Sequence, residues 1–126
     1  MNGFFTPDKD AKGNSTGGGT ISWNPHLGLL TNKDVVISPA TVLDHEDEHA
    51  AGNAKSPADF DKRRRTPDKQ YENKEEKHVI TGTEQKTAKA LGEINKGEKT
   101  REDHSGKDAV ITNDPTSTAG GIVPLK

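Results

Sequence analysis

The sequence predicts a small α+β domain, with two helices laid against a short β-sheet. Three observations predict it. Ser38-Pro39 opens a helix-forming stretch that runs to Gly52. Asn73 to Leu91 carries apolar residues at helical spacing and closes on Gly92. The remaining apolar runs, Thr20–Trp23, Val35–Ile37 and Ala109–Ile111, are short and rich in β-formers. With 126 residues, of which 27% are apolar and 30% charged, the chain supports one domain with a small core, and part of it is expected to be loosely ordered.

The same composition narrows the function. A net charge of −2, with both signs interspersed, gives no electrostatic drive toward nucleic acid or a membrane surface. No run approaches the roughly 18 apolar residues of a membrane span. Met1-Asn2-Gly3-Phe4-Phe5 is too short for the apolar region of a secretory signal. With no cysteine, disulfides and thiolate ligands are excluded, so any metal must be held by His, Asp or Glu.

Along the chain, residues 1–19 read as a flexible, glycine-rich arm ending in Gly17-Gly18-Gly19, of the kind that suits a module of a longer protein. The domain proper is expected over residues 20–112. Thr20-Ile21-Ser22-Trp23 alternates as a short strand, with Trp23 a packing residue in preference to a substrate platform. Residues 28–34 read as a loop and Val35-Val36-Ile37 as a second strand. The first helix takes Ser38 as N-cap and Pro39 as its first residue, and is expected to stop near Gly52. Residues 56–69, with the run Lys62-Arg63-Arg64-Arg65, read as a solvated loop. The second helix carries Gly82, which is expected to kink or interrupt it. Residues 100–104 stand in a loop or short strand, Ala109-Val110-Ile111 form a last strand, and residues 113–126 read as a polar tail.

The first helix also carries the chemistry. His45-Glu46-Asp47-Glu48-His49 is an H-E-x-x-H motif. Residues four apart share a helical face, so His45 and His49 can hold one metal ion, and the Glu46 carboxylate can reach a water on that ion and take its proton. On the second helix Ile80, Glu84, Ala88 and Leu91 fall on one face, which places Glu84 in an apolar stripe. A buried carboxylate needs a partner or a metal. Glu76 extends the stripe by two turns and competes with it, and a surface ion pair with lysine is an equal reading of such a glutamate. His26, His78 and His104 leave room for other coordination sets. The acidic pair Asp47 and Glu48 sits unexpectedly inside the motif, where extra negative charge tightens cation binding but raises the pKa of a bound water.

Gly17 to Pro25, then Ser38 to Ala50, and third Asn73 to Glu93 with its Val-Ile, Gly-x-Glu and Leu-Gly pattern, resemble the C-terminal metallopeptidase-like domains of Rhs-repeat polymorphic toxins, notably from Bacteroidetes. Those domains are similar to secreted effector zinc peptidases of enteric pathogens, which have a zincin fold. The resemblance covers residues 17–52 and 73–93, and extends more weakly to 117. It implies a zincin-like domain binding Zn²⁺ through His45, His49 and Glu84, with Glu46 as general base. It also implies that Arg101-x-x-His104 stands where relatives carry Arg-x-x-Tyr to stabilise the oxyanion, with His for Tyr. The implied activity is zinc-dependent peptide-bond hydrolysis on a protein or peptide substrate bound along the Thr20–Trp23 strand. It further implies delivery as part of a larger secreted toxin, and an immunity protein as partner. The domain is expected to act as a monomer. A non-catalytic module of the same fold, stapled by its metal, is the alternative.

Overall fold

A computed structural model describes residues 3–124. The chain forms the expected α+β class. A hairpin joins β1 (Gly3–Lys9) to β2 (Ser15–Trp23). β3 (Leu27–Thr31) and β4 (Val36–Ile37) follow, then α1 (Pro39–Lys55), α2 (Pro57–Arg65) and a miniature pair, β5 (Pro67–Asp68) and β6 (Glu72–Asn73). A second long helical run comprises α3 (Lys74–Val79), a π-helical turn (Ile80–Glu84) and α4 (Gln85–Ala90). The chain ends with β7 (Gly106–Thr112) and β8 (Gly120–Pro124). The main sheet is antiparallel throughout, in the order β4-β3-β7-β8.

The helix starts obey local chemistry. Ser38 caps α1, its Oγ accepting from the Thr41 N–H at 3.3 Å, and Pro39 fills the first position. Glu93 adds an anion at the same end, accepting from the Ser38 N–H at 3.0 Å and from the Thr41 hydroxyl at 2.8 Å. The helix does not stop at Gly52. It continues to Lys55, and Gly52 serves packing instead, since a Cβ there would come 3.1 Å from Nη2 of Arg63 on α2. Leu29, Ile37 and Val42 form the centre of the core, with Trp23 packed against it and donating its indole N–H to the Pro39 carbonyl at 2.7 Å.

Four expectations are corrected. Residues 3–9, expected as a flexible arm, pair with β2, and the Ser15 amide and hydroxyl tie the hairpin to the Asp61 carboxylate of α2. Residues 28–34 hold most of β3, whose Leu29 is buried between β4 and β7. Residues 57–65 are the helix α2, because Ser56 caps it and Phe60 buries its apolar face against Phe5. The expected tail at 113–126 contributes β8, and the Pro115 carbonyl accepts from the Ala40 N–H of α1 at 2.7 Å. β8 lies so close to β7 that a Cβ on Gly120 would sit 1.5 Å from the Ile111 carbonyl oxygen, so glycine is required there.

The helical stripe is seen in part. Ile80, Glu84 and Ala88 are fully buried, while Leu91 is exposed because the helix ends at Ala90. Gly82 lies within the π turn, the interruption the sequence anticipates.

Candidate metal centre

α1 presents His45, Glu46 and His49 inward, all three buried, while Asp47 is exposed and Glu48 only half-buried. The two acidic residues inside the motif therefore leave the inner face to the histidines. The Nε2 atoms of His45 and His49 lie 3.1 Å apart. Oε1 of Glu76, on α3, lies 3.0 Å from each of them. Asn73 caps that helix and aims its first turn at α1, its side chain accepting from the Glu76 N–H at 2.9 Å.

The other nitrogen of each ring is held by a second carboxylate. His45 Nδ1 lies 2.9 Å from Glu84 Oε1, and His49 Nδ1 lies 2.7 Å from Glu75 Oε2. An ionised carboxylate only accepts, so each Nδ1 carries its proton. In the neutral ring this leaves a lone pair on each Nε2. Two such lone pairs and a carboxylate oxygen then face one another, and they repel unless a cation or a proton lies among them. Tetrahedral zinc with bonds of 2.0–2.1 Å spaces its donors about 3.3 Å apart, so a triangle of this size fits it.

Protons stabilise the same cluster when no ion is present. Burial pulls His49 down, but hydrogen bonds to Glu75 and Glu76 outweigh it and push the group up to about 9. His45 is likewise raised, with burial opposed by Glu76 and Glu84. Burial pushes Glu76 up, yet bonds from His104, His45 and His49 hold it well below the usual carboxylate range. Glu84 falls to about 2, the cost of burial being outweighed by Arg101 and His45.

Glu46 stands beside the triangle with Oε2 3.8 Å from His45 Nε2, too far to share the hydrogen bonds of the three donors. Burial raises its pKa against the pull of His45 and His49. A raised carboxyl pKa suits a group that must take up and return a proton. Glu46, His49, Glu76 and His104 line a cavity of about 140 Å³ together with Phe5 and Arg64. The strand bordering this cavity is β1, through Gly3 to Phe5, and not the Thr20–Trp23 segment expected to do so.

No family model matches the chain, and no curated protein or solved structure matches it.

The structure divides the expected site residues. His45, Glu46 and His49 converge as the motif requires. Glu84 lies on the Nδ1 side of His45, away from the Nε2 triangle, and the place of third donor falls to Glu76. The reason lies in Arg101: its Nε bonds Glu84 Oε2 at 3.1 Å, its Nη2 bonds Oε1, and both side chains are fully buried. Arg101 is thus spent on Glu84, behind the ring, and does not face the cavity on the Glu46 side. His104 does reach the site, with Nε2 3.2 Å from Glu76 Oε1. His26 bonds the Thr112 carbonyl and His78 pairs with Glu48, both elsewhere. Sequence reasoning missed Glu75 and Arg63, whose Nε holds Glu75 Oε1 at 2.7 Å. The adjacent pair Glu75-Glu76 was the available signal. Neighbouring helical positions point about 100° apart, so two carboxylates can meet two sides of one ring.

Proposed function

We propose that this domain hydrolyses peptide bonds with zinc held by His45, His49 and Glu76, and with Glu46 as general base. The observation that carries the reading is the triangle of His45 Nε2, His49 Nε2 and Glu76 Oε1 at 3.0–3.1 Å, each imidazole fixed from behind by its own carboxylate. Zinc in that place supplies a Lewis acid that polarises a carbonyl and makes water more acidic. The chain supplies the rest. Glu46 takes the proton of the attacking water and returns it to the leaving amine. Glu84 and Glu75 keep both Nε2 lone pairs directed at one point, as carboxylates behind metal-ligating histidines do. The resemblance to toxin metallopeptidase domains extends the proposal to a protein substrate, delivery within a larger toxin and a partnering immunity protein.

One observation favours the non-catalytic reading, in which the metal only staples a small core. His104 stands close enough to Glu76 to close the site. Glu46→Gln separates the two. The hydrolytic reading expects about one equivalent of zinc in both proteins, and cleavage of a peptide library by the parent alone. Equal cleavage by both removes Glu46 as base. Zinc binding without any cleavage by the parent selects the structural role.

A further inference from the structure

Three histidines, not two, are held in the same way. His104 places Nδ1 2.8 Å from Glu72 Oε2, as His45 does with Glu84 and His49 with Glu75. The carboxylate retains the proton on Nδ1 and leaves the neutral ring a lone pair on Nε2. That Nε2 lies 3.2 Å from Glu76 Oε1, the same oxygen that lies 3.0 Å from the other two Nε2 atoms. A carboxylate oxygen offers two lone pairs, so three imidazole N–H donors overfill it. A cation among the four atoms serves all of them.

The geometry points to His104 as a fourth metal donor through Nε2, oriented by Glu72. The inference rests on the metal-binding half of the proposed function and not on hydrolysis. It also reverses the role implied by the Arg-x-x-Tyr comparison, since stabilising an oxyanion needs a hydrogen on Nε2, whereas ligation needs the lone pair. Two further features support a built arrangement. The His104 ring lies near-parallel to His45, at 28° with centroids 6.4 Å apart. Glu72, with a φ of 78°, closes the tight turn between β5 and β6, and that turn fixes where its side chain starts.

Four protein donors close the site of the free domain. Reaction then requires either a fifth ligand or withdrawal of His104. Room for withdrawal exists: His104 lines both the 140 Å³ cavity and a second of about 460 Å³, which is lined also by Glu72, Arg101 and Ser105.

The test uses cobalt(II), whose visible absorption is intense in four-coordinate sites and weak at higher coordination. The parent, His104→Ala and Glu72→Gln are each titrated with cobalt, and zinc affinity is measured by competition with a chromophoric chelator. The expected result is an intense band in the parent. In His104→Ala the band weakens or shifts and zinc binds at least tenfold more weakly. Glu72→Gln weakens binding by a smaller factor than His104→Ala, because it removes the carboxylate behind the donor and not the donor itself. Circular dichroism of the metal-free proteins establishes that each variant folds, and Glu72→Gln alters only an exposed side chain if His104→Ala does not fold. An unchanged spectrum and affinity in both variants overturn the inference while leaving the three-donor site intact. A parent that binds no cobalt and no zinc overturns both.

Discussion

His45–Glu84–Arg101 and His49–Glu75–Arg63 are the same arrangement built at two depths. In each, an imidazole Nδ1 meets a glutamate and the glutamate is backed by an arginine. The inner chain is fully buried at every member, and the Thr100 hydroxyl adds a fourth contact on Glu84 at 2.6 Å. The outer chain ends on Arg63, whose side chain is 33% exposed. The two arginines therefore do different work. Arg101 neutralises a carboxylate that no water reaches, so the fold depends on it. Arg63 backs a carboxylate from the solvent side, where water can take over part of the task.

Substitution separates the two depths. Arg101→Leu strips Glu84 of its arginine and leaves the buried carboxylate with His45 and Thr100, and is expected to cost about 3–5 kcal/mol of stability in urea unfolding of the metal-free protein. A loss below about 1 kcal/mol would mean that Glu84 is protonated or reached by water, and the comparison would collapse.

A third buried carboxylate sharpens the contrast, because its closest bonds come from neutral donors. Asp61 accepts from the Ser15 hydroxyl and from the Ser15 N–H at 2.8 Å, which hold its pKa below the ordinary value. A lowered folded-state pKa contributes stability that is present above about 3.9 and is lost as pH falls below it. Asp61→Asn is therefore expected to cost about 1–2 kcal/mol at pH 7, with the gap to the parent narrowing at pH 3. A gap independent of pH would show that the charge on Asp61 is irrelevant to docking the hairpin.

The smallest effect is expected at the outer chain. Arg63→Ala is expected to cost under about 1 kcal/mol, as for other partly solvated ion pairs. A cost equal to that of Arg101→Leu would mean that depth does not distinguish the two chains.

Much of the site was legible because it is local. His45, Glu46 and His49 lie within one helical turn, and Ser38-Pro39 announces that helix. The stripe through Ile80, Glu84 and Ala88 correctly buries a carboxylate against α1. Other signals were present and went unread. Ser56-Pro57 repeats the Ser38-Pro39 signature and starts α2, but the basic run that follows masked it. Asp10 to Asn14 forms the hairpin turn, with the Asp10 carboxylate accepting from the Lys12 and Asn14 N–H groups at 2.9 and 3.0 Å. Glycines hid the first half of β2, up to Gly19, and all of β8, because glycine has no side chain to show the alternation of a strand.

The fold class, the principal helix and the three residues it turns inward follow from local order in the chain, since helical periodicity and capping act between neighbours. Which nitrogen of which histidine each glutamate meets is set by packing between elements far apart in the chain. Glu76 and Glu84 share a stripe, yet one faces His45 Nε2 and the other Nδ1, and Arg101 holds the second in place from 17 residues further along. The two sides of an imidazole are only about 2 Å apart, finer than any sequence spacing resolves, and that distance separates a candidate ligand from a residue that orients one.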